Sequence, residues 1–274
     1  MRALGALGKR AEIFDPQMAF ARLPAVVRRA RGAFSARTTP EEHLLRSMSA
    51  RTTEARAKYA KLGLSSRSPL DRTTQALLLR QLYLAHFEAR RFEKAREIAT
   101  QMVELDVLAD VARQDAARAC FALDDHEAAL GHLRLAARHG PAHRRAFHLW
   151  TLGSLLFLLG RYEEAAGVLA RALRWGTTDK PLYRAHSTLA RLAAGERPRS
   201  VPRIIDELAA APCGQGYGRF VLGLLCARAG RRDEAIAYLE AFVRRTTSEK
   251  PRLAVALERE LAMARDELAR LQAN

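Results

Sequence analysis

The feature that most constrains this chain is a short segment that recurs along it. Arg91-Phe92-Glu93-Lys94-Ala95 is followed by Asp125-His126-Glu127-Ala128-Ala129, by Arg161-Tyr162-Glu163-Glu164-Ala165 and by Arg231-Arg232-Asp233-Glu234-Ala235. A weaker counterpart falls near Val201, so successive spacings are 34, 36, 36 and 34 residues. A fixed period of that size means one small structural unit copied along the chain. No single copy can bury its apolar face alone, so neighbouring copies must stack.

Each copy reads as two helices. In the third, Leu149, Leu152, Gly153 and Leu156 make the buried side of a first helix, and Gly160 ends it. Tyr162 opens the second helix, lined by Ala165, Leu169 and Ala172. Leu222, Gly223, Cys226, Gly230, Ala235, Leu239 and Phe242 repeat that skeleton, and Leu79, Leu82, Phe92, Ala95 and Ala99 begin it. Small residues at Gly153, Gly223, Ala95, Ala129, Ala165 and Ala235 let antiparallel helices approach closely, where a larger side chain would force them apart. The copy between Pro181 and Pro212 departs most, with Pro198 and Pro202 around its second helix. Composition agrees: Ala, Leu and Arg dominate, and aromatics are only 7%, which favours an all-α fold.

Period, small residues and polar turns together resemble the tetratricopeptide repeat family over about residues 74–247. The resemblance implies a right-handed α-solenoid of about five helix pairs, acting as a non-enzymatic scaffold or adaptor for another protein. In that family the first helices line a concave groove. Carried over residue by residue, the fifth position of each repeat falls on Arg80, Gln114, Trp150, His186 and Phe220. The ninth falls on Leu84, Arg118 and Ser154, the twelfth on Phe87, Phe121 and Phe157, and the second on Phe147, Tyr183 and Tyr217. A groove so rich in rings suits an apolar or helical partner segment. The family's charged clamp for acidic tails is not rebuilt, since Leu84, Gln114, Ser154 and Phe157 occupy its positions.

Outside the repeats, Thr39-Pro40-Glu41-Glu42 is a helix start, and residues 39–73 read as a degenerate helical pair. Residues 248–274 read as one capping helix, with Ala254, Leu257, Leu261, Ala264, Leu268 and Leu271 on a heptad seam. A short coiled-coil dimer is the alternative use of that seam. Residues 1–38 form a basic arm, read as partly disordered. The net charge is +16, and residues 1–67 hold 14 Lys and Arg against 5 Asp and Glu. A second expectation is therefore binding of nucleic acid, an anionic surface or an acidic partner through Arg22, Arg28, Arg29, Arg31 and Arg37. Arginine enrichment also fits a bacterial, GC-rich genome.

No catalytic residue, cofactor or metal site is expected. Cys120, Cys213 and Cys226 make no CxxC pair, and His139 and His143 are separated by Gly140-Pro141. The stretch Pro212-Cys213-Gly214-Gln215-Gly216-Tyr217-Gly218 is neither a dinucleotide nor a Walker loop. A flexible turn is the favoured reading, with a Cys213 thiol activated near a helix start as the sharper one. No apolar run reaches the roughly 18 residues of a membrane span, and Met1–Gly8 lacks a secretory core, so a cytoplasmic location is expected.

Overall fold

The computed structural model describes residues 38–249 and 251–273. The five arginines of the basic arm lie outside them. The described residues are all-helical and divide into two compact units at Pro141/Ala142, inside the stretch read as repeats.

The first unit holds α1 (Pro40–Met48), α2 (Thr53–Leu64), α3 (Arg72–Glu88), α4 (Phe92–Glu104), α5 (Ala109–Ala122) and α6 (His126–His139). Its entry is built as the sequence predicts: Pro40 takes the first helical turn, and the Glu42 N–H donates to Thr39 Oγ1 at 3.3 Å. Leu44, Leu77 and Leu78 form a core there, closed by Met48, Leu64, Leu70 and Leu108. Arg56 reaches from α2 to Glu88 at the end of α3, 2.6 Å away.

The second unit holds α7 (Arg145–Leu158), α8 (Tyr162–Trp175), α9 (Lys180–Ala193), α10 (Val201–Ala210), α11 (Tyr217–Arg228), α12 (Arg232–Arg244), α13 (Pro251–Ala256) and α14 (Glu258–Ala273). Consecutive helices pack as pairs within each unit. The small residues do what their size suggests. A Cβ on Gly153 would sit 2.5 Å from Leu169 Cγ, and one on Gly223 would sit 2.5 Å from Leu239 Cγ. Ala95, Ala129, Ala165 and Ala235 are all fully buried.

One backbone device recurs. Arg90, Asp124, Gly160, Gly195 and Gly230 all take left-handed φ, between 56° and 86°. At each, the next residue's N–H donates back to a carbonyl five residues earlier: Arg91 to His86, Asp125 to Cys120, Arg161 to Leu156, Glu196 to Arg191 and Arg231 to Cys226, every one at 2.9 Å. That is a Schellman helix end, which satisfies carbonyls the helix leaves open. Two of the five positions are not glycine.

Gly195 also locates the irregular fourth pair. Elsewhere the second helix starts two residues after the left-handed residue; here it starts six later, at Val201. Helix α10 is correspondingly short, 10 residues against 13 or 14 for its counterparts. Pro202 stands in its first turn, where a missing N–H is harmless. With less of α10 to intervene, α9 packs directly on α11.

The C-terminal segment differs from the single helix expected. A π-helical turn, Arg245–Glu249, precedes α13, and a turn at Leu257 separates α13 from α14, although the Leu257 N–H still donates to the Leu253 carbonyl at 2.9 Å. Helix α14 packs on α12 and α11 with Leu257, Leu261, Ala264 and Leu271 buried, and the Arg232 Nε–H donates to the Leu271 carbonyl at 2.8 Å. The heptad seam is occupied within the chain.

Candidate partner-binding face

In the second unit the first helices α7, α9 and α11 bring the groove residues together by helical spacing. Phe147, Trp150, Ser154 and Phe157 share one side of α7; Tyr183 and His186 share one side of α9; Tyr217 and Phe220 begin α11. Trp150 is the hub. Its ring lies 6.0 Å from Phe147, 6.2 Å from Tyr183 and 5.1 Å from Tyr217, the last edge-on at 85°. His186 stands edge-on to Phe157 at 5.3 Å, and Phe220 packs on Phe242 at 5.3 Å. Edge-to-face and offset pairs of this kind add about 0.5–1.5 kcal/mol each beyond the area they bury.

These rings are interior. Trp150, His186 and Phe220 are 0% exposed, Phe157 2%, Tyr183 4% and Tyr217 6%. Only Phe147 is part-exposed. The open aromatic groove expected from the sequence is therefore filled by its own side chains: the three first helices stand close enough for their rings to contact one another.

Four polar groups sit among the rings. The Ser154 hydroxyl donates to the Trp150 carbonyl at 2.9 Å, and its oxygen lies 3.5 Å from His186 Nδ1, at the limit of a hydrogen bond. His186 Nε2 has no partner among the described residues. Burial holds this imidazole neutral, with its pKa lowered to about 3. The Tyr217 hydroxyl meets Ser154 and, from α14, Glu260. Burial first, then the negative carboxylate, raises that phenol well above its ordinary value. Glu260 is itself only 6% exposed. The sequence reading passed it over, although Glu260 stands three residues after Leu257 and so shares its buried side.

The glycine-rich turn has a packing reason. A Cβ on Gly214 would lie 2.1 Å from the Leu208 carbonyl oxygen, and one on Gly218 would lie 2.2 Å from that of Cys213. The backbone passes so close that only hydrogen fits. Cys213 is 4% exposed, and burial pushes its thiol up rather than down. The activated-thiol reading is corrected accordingly. Cys120 and Cys226 are buried too, with Cys226 pushed up to about 12.

The first unit treats its groove positions likewise. Arg80, expected on a ligand surface, is buried; its Nε lies 2.6 Å from Asp115 Oδ2. Arg118 approaches the other Asp115 oxygen at 3.5 Å, and the Tyr83 hydroxyl donates to the Asp115 carbonyl at 2.8 Å. Leu84, Phe87 and Gln114 are buried, and Phe87 packs on Phe92 at 5.2 Å. Phe121 is half-buried beside His126, 5.5 Å between rings. Asp115 was also missed: a lone acid on an otherwise apolar helix side gives no sign that an arginine 35 residues earlier meets it.

Among the described residues no three His, Cys, Asp or Glu side chains group as metal ligands, and no helix is long and apolar enough to cross a membrane. No protein-family model matches the chain, and no curated protein matches it in sequence.

Proposed function

We propose that this protein is a tetratricopeptide-type solenoid that works as a non-enzymatic, cytoplasmic scaffold, holding an apolar or helical segment of another protein against its first-helix face. The observation that carries this reading is the recurrence of one helix end. Five left-handed residues, 34 to 36 positions apart, each close a first helix with the same 2.9 Å bond. Within each unit, paired helices present a row of equivalent first helices, a geometry suited to partner segments rather than to a single reaction centre.

Burial redraws the contact set. Trp150, Phe157, Tyr183, Tyr217 and Phe220 form the floor that sets the shape of the face. Phe147 in the second unit and Phe121 in the first are the rings left to touch a partner. The test is affinity capture from native extract with the full chain, comparing wild type with Phe121→Ala and, separately, with Phe147→Ala. Loss of one reproducible partner, with the helical circular dichroism and melting curve kept, supports the reading. Undiminished capture refutes the face. Trp150→Ala is a poor probe, because it opens a cavity in the core.

A second reading rests on charge: the strongly basic first 67 residues attract nucleic acid or an anionic surface through the arginine arm. It predicts retention on heparin or phosphocellulose that vanishes with rising salt.

A further inference from the structure

We propose that the end of the second unit formed by the start of α7 and the finish of α8 binds single-stranded nucleic acid, with a base stacked on Trp175 and phosphates held by Arg145, Arg171 and Arg174. This site uses none of the groove residues and none of the arm.

Trp175 is 51% exposed, while the chain's other tryptophan, Trp150, is 0% exposed. Among the described residues it is the one large aromatic ring left open to solvent. The ring is held in place. Gly176, immediately after it, is buried so tightly that a Cβ there would lie 2.8 Å from the Tyr183 ring. The Arg145 guanidinium lies over the indole, 4.6 Å from the ring centroid. Antiparallel packing of α7 on α8 brings the first residue of one helix to the last of the other. Arg171 stands one turn before Trp175 on the same side of α8, and Arg174 is adjacent; both are exposed.

No carboxylate among the described residues claims these guanidiniums. Some surface arginines of the unit are paired, Arg161 with Glu164, Arg184 with Glu207, Arg191 with Glu196 and Arg231 with Asp206. Others, such as Arg199, Arg203 and Arg228, are exposed without an ion pair among the described residues; what sets this trio apart is its place beside an open indole. Arg145, Arg171 and Arg174 form no ion pair among the described residues. Fold stability does not account for all of them. Arg174 is favoured by the C-terminal end of a helix dipole, but Arg145 stands at an N-terminal end whose first turn holds no acid.

The chemistry selects the partner. An acidic peptide would neutralise the arginines and leave the indole unused. A lipid surface would need further apolar side chains beside the ring, and the other exposed large hydrophobics, Leu62 and Leu135, belong to the first unit. Single strands offer both halves at once: an unpaired base for a fixed aromatic platform backed by a guanidinium, and phosphates spaced for the flanking arginines.

The experiment is a fluorescence titration of the full chain with an oligothymidylate of about ten nucleotides at low salt. Quenching of Trp175 is expected, because Trp150 is shielded. Trp175→Ala should abolish the quench and weaken binding roughly 5- to 150-fold, and Trp175→Phe should restore most of the affinity. Arg171→Ala/Arg174→Ala should lower the slope of log affinity against log salt by about 1.4. Unchanged affinity in Trp175→Ala would assign any binding to the basic arm and overturn the proposal. So would equal binding of a duplex of the same length, or capture by phosphatidylserine vesicles in place of the oligonucleotide.

Discussion

Replacing His186 with leucine should make the second unit resist acid. The imidazole is fully buried among Trp150, Phe157 and Tyr217, and burial lowers its pKa to about 3. In the unfolded chain a histidine titrates near 6.5. The folded value is the depressed one, so the unfolded state takes up the proton first. Stability is therefore intact above about pH 6.5 and falls as pH drops from there towards 3. Linkage over those two values gives a loss of about 2 kcal/mol between pH 7.5 and pH 5 from this residue alone. Burial also lowers the pKa of His43, His86 and His132, so the whole chain weakens in acid. Those groups are common to both proteins, and the difference isolates His186. The assay is urea unfolding followed by circular dichroism at pH 7.5, 6 and 5. Wild type should lose about 2 kcal/mol more than His186→Leu across that range. Near neutral pH the variant should equal or exceed wild type, since it removes a ring nitrogen with no partner. Parallel loss of stability in the two proteins would refute the argument.

Arg80→Ala should destabilise the first unit, by at most roughly 3–5 kcal/mol in chemical denaturation, because it leaves the Asp115 carboxylate, 1% exposed, with only the longer 3.5 Å approach of Arg118. Replacing both partners, as Arg80→Met/Asp115→Leu, should recover most of that. Gly214→Ala should lower the melting temperature steeply, since its methyl would lie 2.1 Å from a backbone oxygen that has nowhere to move. An equivalent change at Gly167, where a Cβ meets nothing within 4 Å, should be neutral or slightly stabilising.

The helices were legible because their signals are local. Thr39 and Pro40 name a helix start on their own, and Gly160 and Gly230 name helix ends. Arg90 and Asp124 perform the same turn without the residue type that announces it. The fourth pair was obscured by its longer turn, which displaces the second helix from the expected register. The candidate site was harder for a different reason. Helical spacing says that Phe147, Trp150, Tyr183 and Tyr217 share a side, but not how near the neighbouring helix stands. Whether rings line an open channel or close upon one another depends on that distance. Likewise, Arg80 reads as a surface cation until Asp115 is brought against it.

The fourth pair carries one more implication. Its turn is four residues longer than the others, its second helix is three or four shorter, and the next left-handed end of a first helix, Gly230, still arrives 35 positions after Gly195. What the chain conserves is phase, while the share allotted to loop and helix varies. A deletion that trimmed Arg197–Ser200 to the standard turn, without lengthening α10, would advance α11 by about one helical turn. Tyr217 and Phe220 would keep nearly the same face but slide about 6 Å along the helix axis, away from Trp150. An insertion there matched by an equal loss of helix would pass unnoticed by the aromatic core, which makes this segment the natural graft point of the molecule.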